Sequence, residues 1–486
     1  ASRRASPARR AGPGPEQRTA RVGAALPLVQ PPRPPPGLTP QRREVYLFLL
    51  LLRTSASFQL AKRSRAAAMA GAGAPAVPQA GRPAPNFDVI VVGAGIMGSC
   101  TAHAAASRGA RVLLLERFDL LHPLGSSHGD SRIIRDAYAQ PRYLRMVRLA
   151  RRLWAAAEAE AGYRVLTPTP HLSMGPRSSA SLAAAIANIG AEEVDEDDLH
   201  RRWGGAFALT VPGPVDAWVT ALSDHGGVLS ATKAVAMFQS LAVAKGAVVR
   251  DNTEVVGIDR APEPDGGGVV VRAAGGEAFR GARCVVTVGA WAAKLLGSWG
   301  VDLPIRPLHT LHLYWRVKPG QEQTVSASAG FPTFSSYGDP PVYGAPSLEL
   351  PGLIKISCDG GPPCDPDARD WLAGDAEVTH RVARWIQEAM PDHVDAAGGP
   401  VVRQSCICSM TPDADFVMDF LGGGRDVVVG AGFSGHGFKM GPAVGKILAE
   451  MAIDGGSETA EEAGLDLGFF RIGRFDGNPM GNAKKD

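Results

Sequence analysis

A run of β-branched and apolar residues opens the most regular part of the chain. Phe87–Val92 has the length and composition of a buried strand, and Gly93, Gly95 and Gly98 follow it before an alanine-rich segment typical of a helix. A second apolar run, Val112–Leu115, comes after that segment. The pattern therefore predicts a strand, a tight turn, a helix and a second strand.

This βαβ unit has the spacing of a dinucleotide-binding site. Gly93 permits the turn, Gly95 lets a pyrophosphate approach the backbone, and Gly98 lets the helix pack on the strand. Free N–H groups at the helix start attract phosphate charge. Glu116, 18 residues beyond Gly98, stands where an acidic residue accepts hydrogen bonds from the adenosine ribose. Glycines also serve ordinary turns, but the flanking elements favour a dinucleotide site, for either FAD or NAD.

Two later segments repeat the order of strand, glycine turn and helix. One is RCVVTVGAWAAKLL, residues 283–296, and the other begins with a buried strand at 427–429 that is broken at Gly430 and Gly432. A second glycine-rich turn aimed at the cofactor favours FAD, because the isoalloxazine ring needs its own helix start to stabilise negative charge. FAD is therefore the preferred cofactor.

Residues 304–400 alternate between apolar and polar positions in the manner of strands, as in HTLHLYWRV. We therefore predict an α/β protein with a Rossmann-like FAD-binding domain and a mixed β-sheet substrate domain. The predicted boundaries are 87–165, 225–303 and 401–460 for the FAD-binding domain, 166–224 and 304–400 for the substrate domain, and 461–486 for a tail.

Residues 1–86 have a different composition, rich in Arg, Pro and Ala, with Glu16 and Glu44 as the only acids. We expect a disordered extension. It is either an organelle transit peptide or sequence upstream of a true start at Met69, and the second reading is slightly favoured. The apolar run at 47–52 is too short to span a bilayer, so no membrane association is expected.

Charge and cysteine content narrow the function further. The net charge is +3 in 486 residues, with no broad basic bias that would indicate a nucleic-acid partner. Six cysteines without a CxxC pair are typical of free thiols in a reducing compartment. A zinc site from Cys358, Cys364, Cys406 and Cys408 is disfavoured because neither spacing is a usual knuckle, and no metal is expected.

A polar, glycine-punctuated loop, LGSSHGDSRIIRDAY, follows the first βαβ unit at residues 124–138. Arg132 and Arg135 are three residues apart, which would place both guanidinium groups on one side of a helix. Surface arginines are usually only solvated. The position directly after a dinucleotide motif, beside His128, nevertheless favours an active-site role.

Taken together, these segments resemble the monomeric sarcosine oxidase and N-methyltryptophan oxidase family, including its plant-type members and its peroxisomal pipecolate oxidase relatives. The resemblance spans about residues 87–460. The motifs that carry it are FDVIVVGAGIMGS, SSHGDSRIIRDAY, VGAWAAKLL, the block around CICSMTPDADF, and GFSGHGFKM.

The resemblance implies a fold of the glycine oxidase and D-amino acid oxidase type. It also implies a flavoprotein that oxidises the C–N bond of a small secondary amino acid and returns the two electrons from FAD to O2 as hydrogen peroxide. From sarcosine the products would be glycine and formaldehyde. A monomer is the family default, and a peroxisome or the cytosol is the expected compartment, although NAKKD is not an SKL-type address.

The resemblance also assigns roles to individual residues. The pattern CxxxxTPDxxF places covalent attachment of FAD at Cys406, with Cys408 as the competitor and an unlinked structural cysteine as the alternative. Arg132 would lie against the flavin, and Lys355 would supply positive charge where oxygen accepts its first electron; an ordinary strand-end lysine is the alternative. The other assignments are Arg135 and Lys439 as a clamp for the substrate carboxylate, Tyr343 as a pocket tyrosine or merely a core aromatic, and His128, Gly432 and Gly435 as cofactor-binding residues.

Two positions depart from the family pattern. Asp359 stands where relatives active on sarcosine or pipecolate have a histidine four residues after the lysine, and Cys408 replaces a tyrosine of the bacterial enzymes. An aspartate beside the clamp would weaken carboxylate binding unless it is protonated or pairs with the substrate ammonium. Three alternatives to a sarcosine oxidase thus remain open: an oxidase of L-pipecolate, a flavin-binding protein with little oxidase activity, and an NAD-dependent dehydrogenase.

Overall fold

Two β-sheets form the framework of the protein in the computed structural model, which describes residues 86–208, 218–262 and 267–483. The predictions for the N-terminal extension, for a start at Met69 and for the apolar run at 47–52 lie outside these residues.

The first sheet is built around Phe87–Val92, which runs parallel to Val112–Leu115 on one side and to Ala278–Val286 on the other. Phe87–Val92 and Val112–Leu115 are almost entirely apolar because both of their faces are covered. Helix Ile96–Ser107 packs against Ala231–Ala244 and Gly441–Asp454. The strands of this sheet, in spatial order, are Val417–Phe420, Val427–Ala431, Ala278–Val286, Phe87–Val92, Val112–Leu115 and Val248–Arg250, with Val255–Arg260 and Val269–Ala273 attached.

The second sheet is mixed and carries the segments between the Rossmann-like elements. Its core lies between the sheet and helix Asp375–Ala389, where the rings of Phe334 and Trp385 stack 5.6 Å apart. Its strands, in spatial order, are Val394–Asp395, Arg306–Val317, Leu353–Cys358, Val342–Pro346, Thr333–Ser336, Leu166–Pro176, Trp218–Leu229 and Arg132–Ile133, with Val402–Met410 and Glu192–Glu193 attached.

Strand Val402–Met410 belongs to the second sheet, although the predicted boundary at 401 assigned it to the FAD-binding domain. It pairs with Arg306–Val317 from Arg306 opposite Met410 to Tyr314 opposite Val402. The predicted boundary rests on the glycine turn that lies further along the chain. The pairing of this strand depends instead on a segment that is distant in sequence. Similarly, the last residues of Trp218–Leu229 continue in the second sheet past the predicted boundary at 225.

The longest helix of the described residues, Pro141–Ala161, is amphipathic and ends at Gly162 with φ 77°. No helix of the described ranges is long and apolar enough to cross a membrane. The remaining helices are Ala180–Ile189, Glu196–Trp203, Ala292–Gly297 and Glu458–Glu462, with 3₁₀ turns at Gly289–Trp291, Ala327–Ala329, Phe438–Met440, Leu467–Phe470 and Ile472–Phe475.

Candidate active site

The glycine-rich turn forms the start of the candidate site. Gly93 has φ +97°, which favours glycine, and a Cβ at Gly98 would lie 1.8 Å from the Gly93 carbonyl oxygen. Only glycine allows the helix Ile96–Ser107 to approach the strand this closely. Gly95 precedes the first residue of the helix, so the backbone of the turn faces the space beyond the strand ends.

Glu116 comes directly after strand Val112–Leu115, beside the glycine turn. Its carboxylate accepts hydrogen bonds from the backbone N–H of Ala94 at 2.8 Å and of Phe118 at 3.1 Å, and Nε2 of His122 lies 3.4 Å away. Burial by itself would raise the pKa of Glu116, but the His122 and backbone hydrogen bonds hold this pKa below its usual range. An ionised carboxylate therefore marks this end of the site.

One cavity of about 850 Å³ connects the glycine turn to the second sheet. This volume is in the range of sites that enclose cofactors and drug-sized ligands. Gly98, His128 and Gly432 do not line it. The predicted site residues that do line it are Gly93, Gly95, Glu116, Arg132, Arg135, Tyr343, Lys355, Asp359, Cys406, Gly435 and Lys439.

Arg132 and Cys406 meet in the middle of the cavity. The Arg132 guanidinium donates to the carbonyl oxygens of Ser126 and His128 at 3.0 and 2.8 Å, and its Nη2 lies 3.6 Å from Cys406 Sγ. Cys406 lines the cavity and is only 4% exposed. The Cys406 thiol thus lies beside a guanidinium group that hydrogen bonds to two backbone carbonyl oxygens hold in place.

His128 and Cys408 flank this pair in different ways. Burial, together with the positive charge of Arg132, lowers the pKa of His128 to about 3, so the ring is neutral. Cys408 Sγ lies 3.3 Å from Met410 Sδ, and burial raises its pKa to about 12. Cys408 therefore remains a thiol at neutral pH and lacks the contact with a guanidinium that Cys406 has.

The segment that carries Arg132 and Arg135 is not a helix, so the three-residue spacing does not place them on one helical side. Arg132–Ile133 is a short strand that pairs antiparallel with Trp218–Leu229, because the open edge of the second sheet offers backbone partners for this loop. Both arginines still line the same cavity. The Arg135 guanidinium donates to the Ala137 carbonyl oxygen and lies 4.9 Å from the centre of the Tyr138 ring.

Lys439 and Asp359 share the far end of the cavity with Arg135. Lys439 Nζ donates to the Tyr138 hydroxyl at 3.2 Å and to the His436 carbonyl oxygen at 3.0 Å. Burial and the charge of Arg135 lower the pKa of Lys439 to about 7. Asp359 is exposed and lines the cavity. Surrounding protein atoms nevertheless desolvate its carboxylate, which raises the pKa of Asp359, whereas the charges of Arg135 and Lys439 act to lower it.

Lys355 lies inside the second sheet. The alternative interpretation, a lysine at the end of a strand, does not agree with the structure. It occupies the third position of Leu353–Cys358, is 1% exposed, and donates from Nζ to the Ser131 carbonyl oxygen at 3.1 Å. Its Nζ is 5.8 Å from the centre of the Tyr343 ring. Burial, reinforced by Arg132, lowers the pKa of Lys355 well below its usual range, and burial raises that of Tyr343.

Sequence reasoning missed Tyr138 and His436, which contact each other at the far end of the cavity. The Tyr138 hydroxyl lies 3.3 Å from His436 Nδ1, and both residues line the cavity. Both stand in motifs singled out in the sequence, SSHGDSRIIRDAY and GFSGHGFKM. Their polar side chains next to Arg135 and Lys439 were the available signal.

The six cysteines are free. Within the described part of the chain, no group of three or more His, Cys, Asp and Glu side chains is arranged to hold a metal ion.

Comparison with known proteins connects this geometry to a family. Residues 88–451 match the family described as FAD dependent oxidoreductase. The chain is 48% identical over 408 residues to the probable sarcosine oxidase of Arabidopsis thaliana, covering 82% of this chain and 95% of that protein. It is 35% identical over 402 residues to the peroxisomal sarcosine oxidase of Homo sapiens, covering 80% and 96%.

Solved structures support the same fold. The amino acid oxidase NikD in its open form superimposes with a TM-score of 0.65 at 24% identity, covering 80% of this chain and 98% of that one. Glycine oxidase from Geobacillus kaustophilus gives a TM-score of 0.63 at 18% identity, covering 79% and 98%. The predicted fold class and the resemblance noted in the sequence are therefore confirmed.

Proposed function

The chain belongs to the FAD-dependent oxidoreductase family and, within it, to the sarcosine oxidases, and we propose from this that it oxidises small secondary amino acids, sarcosine foremost. The proposed reaction converts sarcosine, O2 and water to glycine, formaldehyde and hydrogen peroxide. The observation that carries it is a cavity, within the described residues, that joins a dinucleotide-type turn to four basic side chains, Arg132, Arg135, Lys355 and Lys439.

The residues at the first end of the cavity fit FAD. The turn at Gly93, Gly95 and Gly98 leaves room for a pyrophosphate, and the ionised Glu116 can accept hydrogen bonds from ribose hydroxyls. Arg132, His128, Gly432 and Gly435 complete the proposed cofactor-binding set. When bound, FAD takes two electrons from the substrate C–N bond and passes them to oxygen.

Arg135 and Lys439 are proposed to bind the substrate carboxylate. An ammonium has three donors, and Lys439 uses two of them on Tyr138 and His436, so one remains for the substrate. The forked Arg135 guanidinium supplies charge-assisted hydrogen bonds beside it. Neighbouring cations also lower the pKa of a substrate ammonium, which favours the neutral amine needed for oxidation.

Asp359 is proposed to adjust this clamp. In the Asp359→Asn variant we expect acetate, a minimal carboxylate, to bind up to about tenfold more tightly than in the parent protein. The difference applies at a pH where Asp359 of the parent is ionised and Lys439 is protonated, because the variant lacks the negative charge that repels acetate. The negative charge of Asp359 raises the pKa of Lys439. The pH at which acetate affinity falls, near the Lys439 pKa of about 7 in the parent protein, should therefore shift lower in the variant.

The measurement is acetate titration of the holoprotein between pH 5.5 and 9, followed through the flavin spectrum. Asp339→Asn is a matched control because Asp339 is exposed and pairs with Arg381 outside the cavity. An unchanged affinity and an unchanged midpoint in Asp359→Asn would show that Asp359 has no influence on the clamp.

Cys406 is the proposed point of covalent attachment. Its Sγ lies 3.6 Å from the Arg132 guanidinium, whereas Cys408 contacts Met410. We expect acid precipitation of the parent protein to carry the flavin into the pellet, and Cys406→Ala to release essentially all of it. Cys408→Ala is the matched control and should retain it. Retention in Cys406→Ala with release from Cys408→Ala would move the attachment to Cys408.

L-Pipecolate oxidation is the alternative within the same chemistry, and it is decided by comparing peroxide formation from the two substrates at equal concentration. A flavin-binding protein with little oxidase activity would form peroxide from neither. We also propose a monomer and a peroxisomal location, since relatives carry the names monomeric and peroxisomal sarcosine oxidase. Sedimentation and localisation of a tagged full-length chain test these two points.

A further inference from the structure

A segment of the C-terminal region, residues 466–483, is bound to the loop 411–416, of which Ala414 lines the cavity. Arg474 Nε and Nη2 contact the Asp413 carboxylate at 2.7 and 3.2 Å, and Nη2 also donates to the Asp415 carbonyl oxygen at 3.0 Å. The side chains of Arg474 and Asp413 are only 6% and 0% exposed. Such a buried, multiply bonded ion pair fixes both partners.

Asn482 adds a second anchor to the same loop. Its backbone N–H donates to the Asp413 carboxylate and its side-chain amide donates to the Asp415 carboxylate, both at 2.9 Å. Phe470 is fully buried against Phe416 at the end of the loop. Residues 411–416 are therefore held by the C-terminal segment at three points.

The loop turns at Ala414, which has φ 57°. A residue with a Cβ adopts this left-handed conformation at an energetic cost and keeps it where the surroundings impose it. The anchored carboxylates of Asp413 and Asp415 stand on either side of Ala414. The Ala414 carbonyl oxygen lies 3.1 Å from His436 Nε2, and Ala414 itself lines the cavity.

The Ala414 carbonyl determines how His436 is protonated. A carbonyl only accepts, so His436 Nε2 carries the hydrogen, and in the neutral ring Nδ1 is then an acceptor. Burial and the charge of Lys439 lower the pKa of His436 to about 3, which keeps the ring neutral. The Tyr138 hydroxyl therefore donates to His436 Nδ1, and its oxygen accepts from Lys439 Nζ.

We propose that residues 466–483, which do not themselves line the cavity, act as positioning residues for the lysine that is proposed to bind the carboxylate. The order of contacts is Arg474 to Asp413, the Ala414 carbonyl to His436, and His436 through Tyr138 to Lys439 Nζ. The inference rests on the proposed function in that Lys439 is taken to bind the substrate carboxylate.

The test uses the full-length holoprotein and two readouts, acetate binding through the flavin spectrum and the steady-state kinetics of sarcosine oxidation. We expect Arg474→Gln and Tyr138→Phe each to weaken acetate binding and to raise KM by about tenfold, with kcat within about twofold, as for an interaction equal in ground and transition state. Asn482→Ala keeps the buried ion pair and should give a smaller loss in the same direction, about threefold. Arg471→Gln, an exposed arginine of the same segment, is the matched control and should change nothing.

The double variant Arg474→Gln/Tyr138→Phe decides whether Arg474 acts on acetate binding through Tyr138. Residues that act through one another are not additive, so the double variant should bind acetate no worse than Tyr138→Phe alone. A loss of about a hundredfold would mean independent effects and would overturn the proposal. So would folded Arg474→Gln and Asn482→Ala proteins with parental KM. If the parent protein neither turns over sarcosine nor binds acetate, the proposed function is overturned, together with the inference that rests on it.

Discussion

Replacing Lys355 with methionine is expected to slow the reaction of the reduced protein with oxygen by about 10²–10³-fold, the range for removing one preorganised charge from a buried site. Lys355 is 1% exposed and donates to the Ser131 carbonyl oxygen. A positive charge in such a low-dielectric position stabilises the anion that forms when oxygen accepts its first electron. Methionine preserves much of the side-chain volume and removes the charge, so the fold should tolerate it.

The effect should be confined to one half of the reaction. Burial and Arg132 lower the pKa of Lys355, so the amine would be most readily protonated when negative charge comes near it, which a reduced flavin bound in the cavity would supply. Stopped-flow measurement of the two half-reactions separates the steps. Reduction by sarcosine should stay within about tenfold of the parent rate. Lys446→Met, at an exposed helix position, is the control. A variant that slows only reduction would refute this role for Lys355.

Replacing Arg135 with alanine is expected to raise KM for sarcosine by about 10²-fold, because hydrogen bonds to charged groups contribute about 1.5–3 kcal/mol each. The loss also leaves Asp359 without one of its two neighbouring cations, which increases repulsion of the incoming carboxylate. Arg135→Lys keeps the charge but not the fork, and should raise KM by only about tenfold.

Steady-state kinetics over a wide range of sarcosine concentration measure this effect. The exposed Arg177, which pairs with Glu193, provides the control variant Arg177→Ala. Because the clamp acts on substrate and transition state alike, kcat should fall much less than kcat/KM. A large fall in kcat with unchanged KM would place Arg135 among the groups that act on the reacting bond instead.

The sequence was most informative where local rules apply. Phe87–Val92 and Val112–Leu115 are buried on both faces, so their apolar runs identify them, and the close contact between Gly98 and Gly93 explains the spacing of the glycines. The position of Val402–Met410 in the second sheet followed from no local signal, since its partner, Arg306–Val317, is far away along the chain.

The same distinction holds within the site. Motifs pointed to Arg132, Arg135, Lys355, Cys406 and Lys439, and all five line one cavity. The spacing of the two arginines would place them on one side of a helix, but backbone pairing with Trp218–Leu229 gives a strand at Arg132–Ile133. The contact of Arg474 with Asp413 depends on the docking of a segment predicted to be a tail, and no periodicity of the sequence indicated it.

The function proposed for this chain is to transfer electrons from a secondary amino acid to its own FAD and then to oxygen. The most direct measurement is to add sarcosine to the purified, full-length holoprotein without oxygen, follow the visible flavin absorbance, and then admit air. We expect the absorbance to be lost on addition of sarcosine and to return with air, with one hydrogen peroxide formed for each glycine and no need for added nicotinamide. A yellow, folded protein whose absorbance is unchanged by sarcosine and by L-pipecolate would contradict the proposed function.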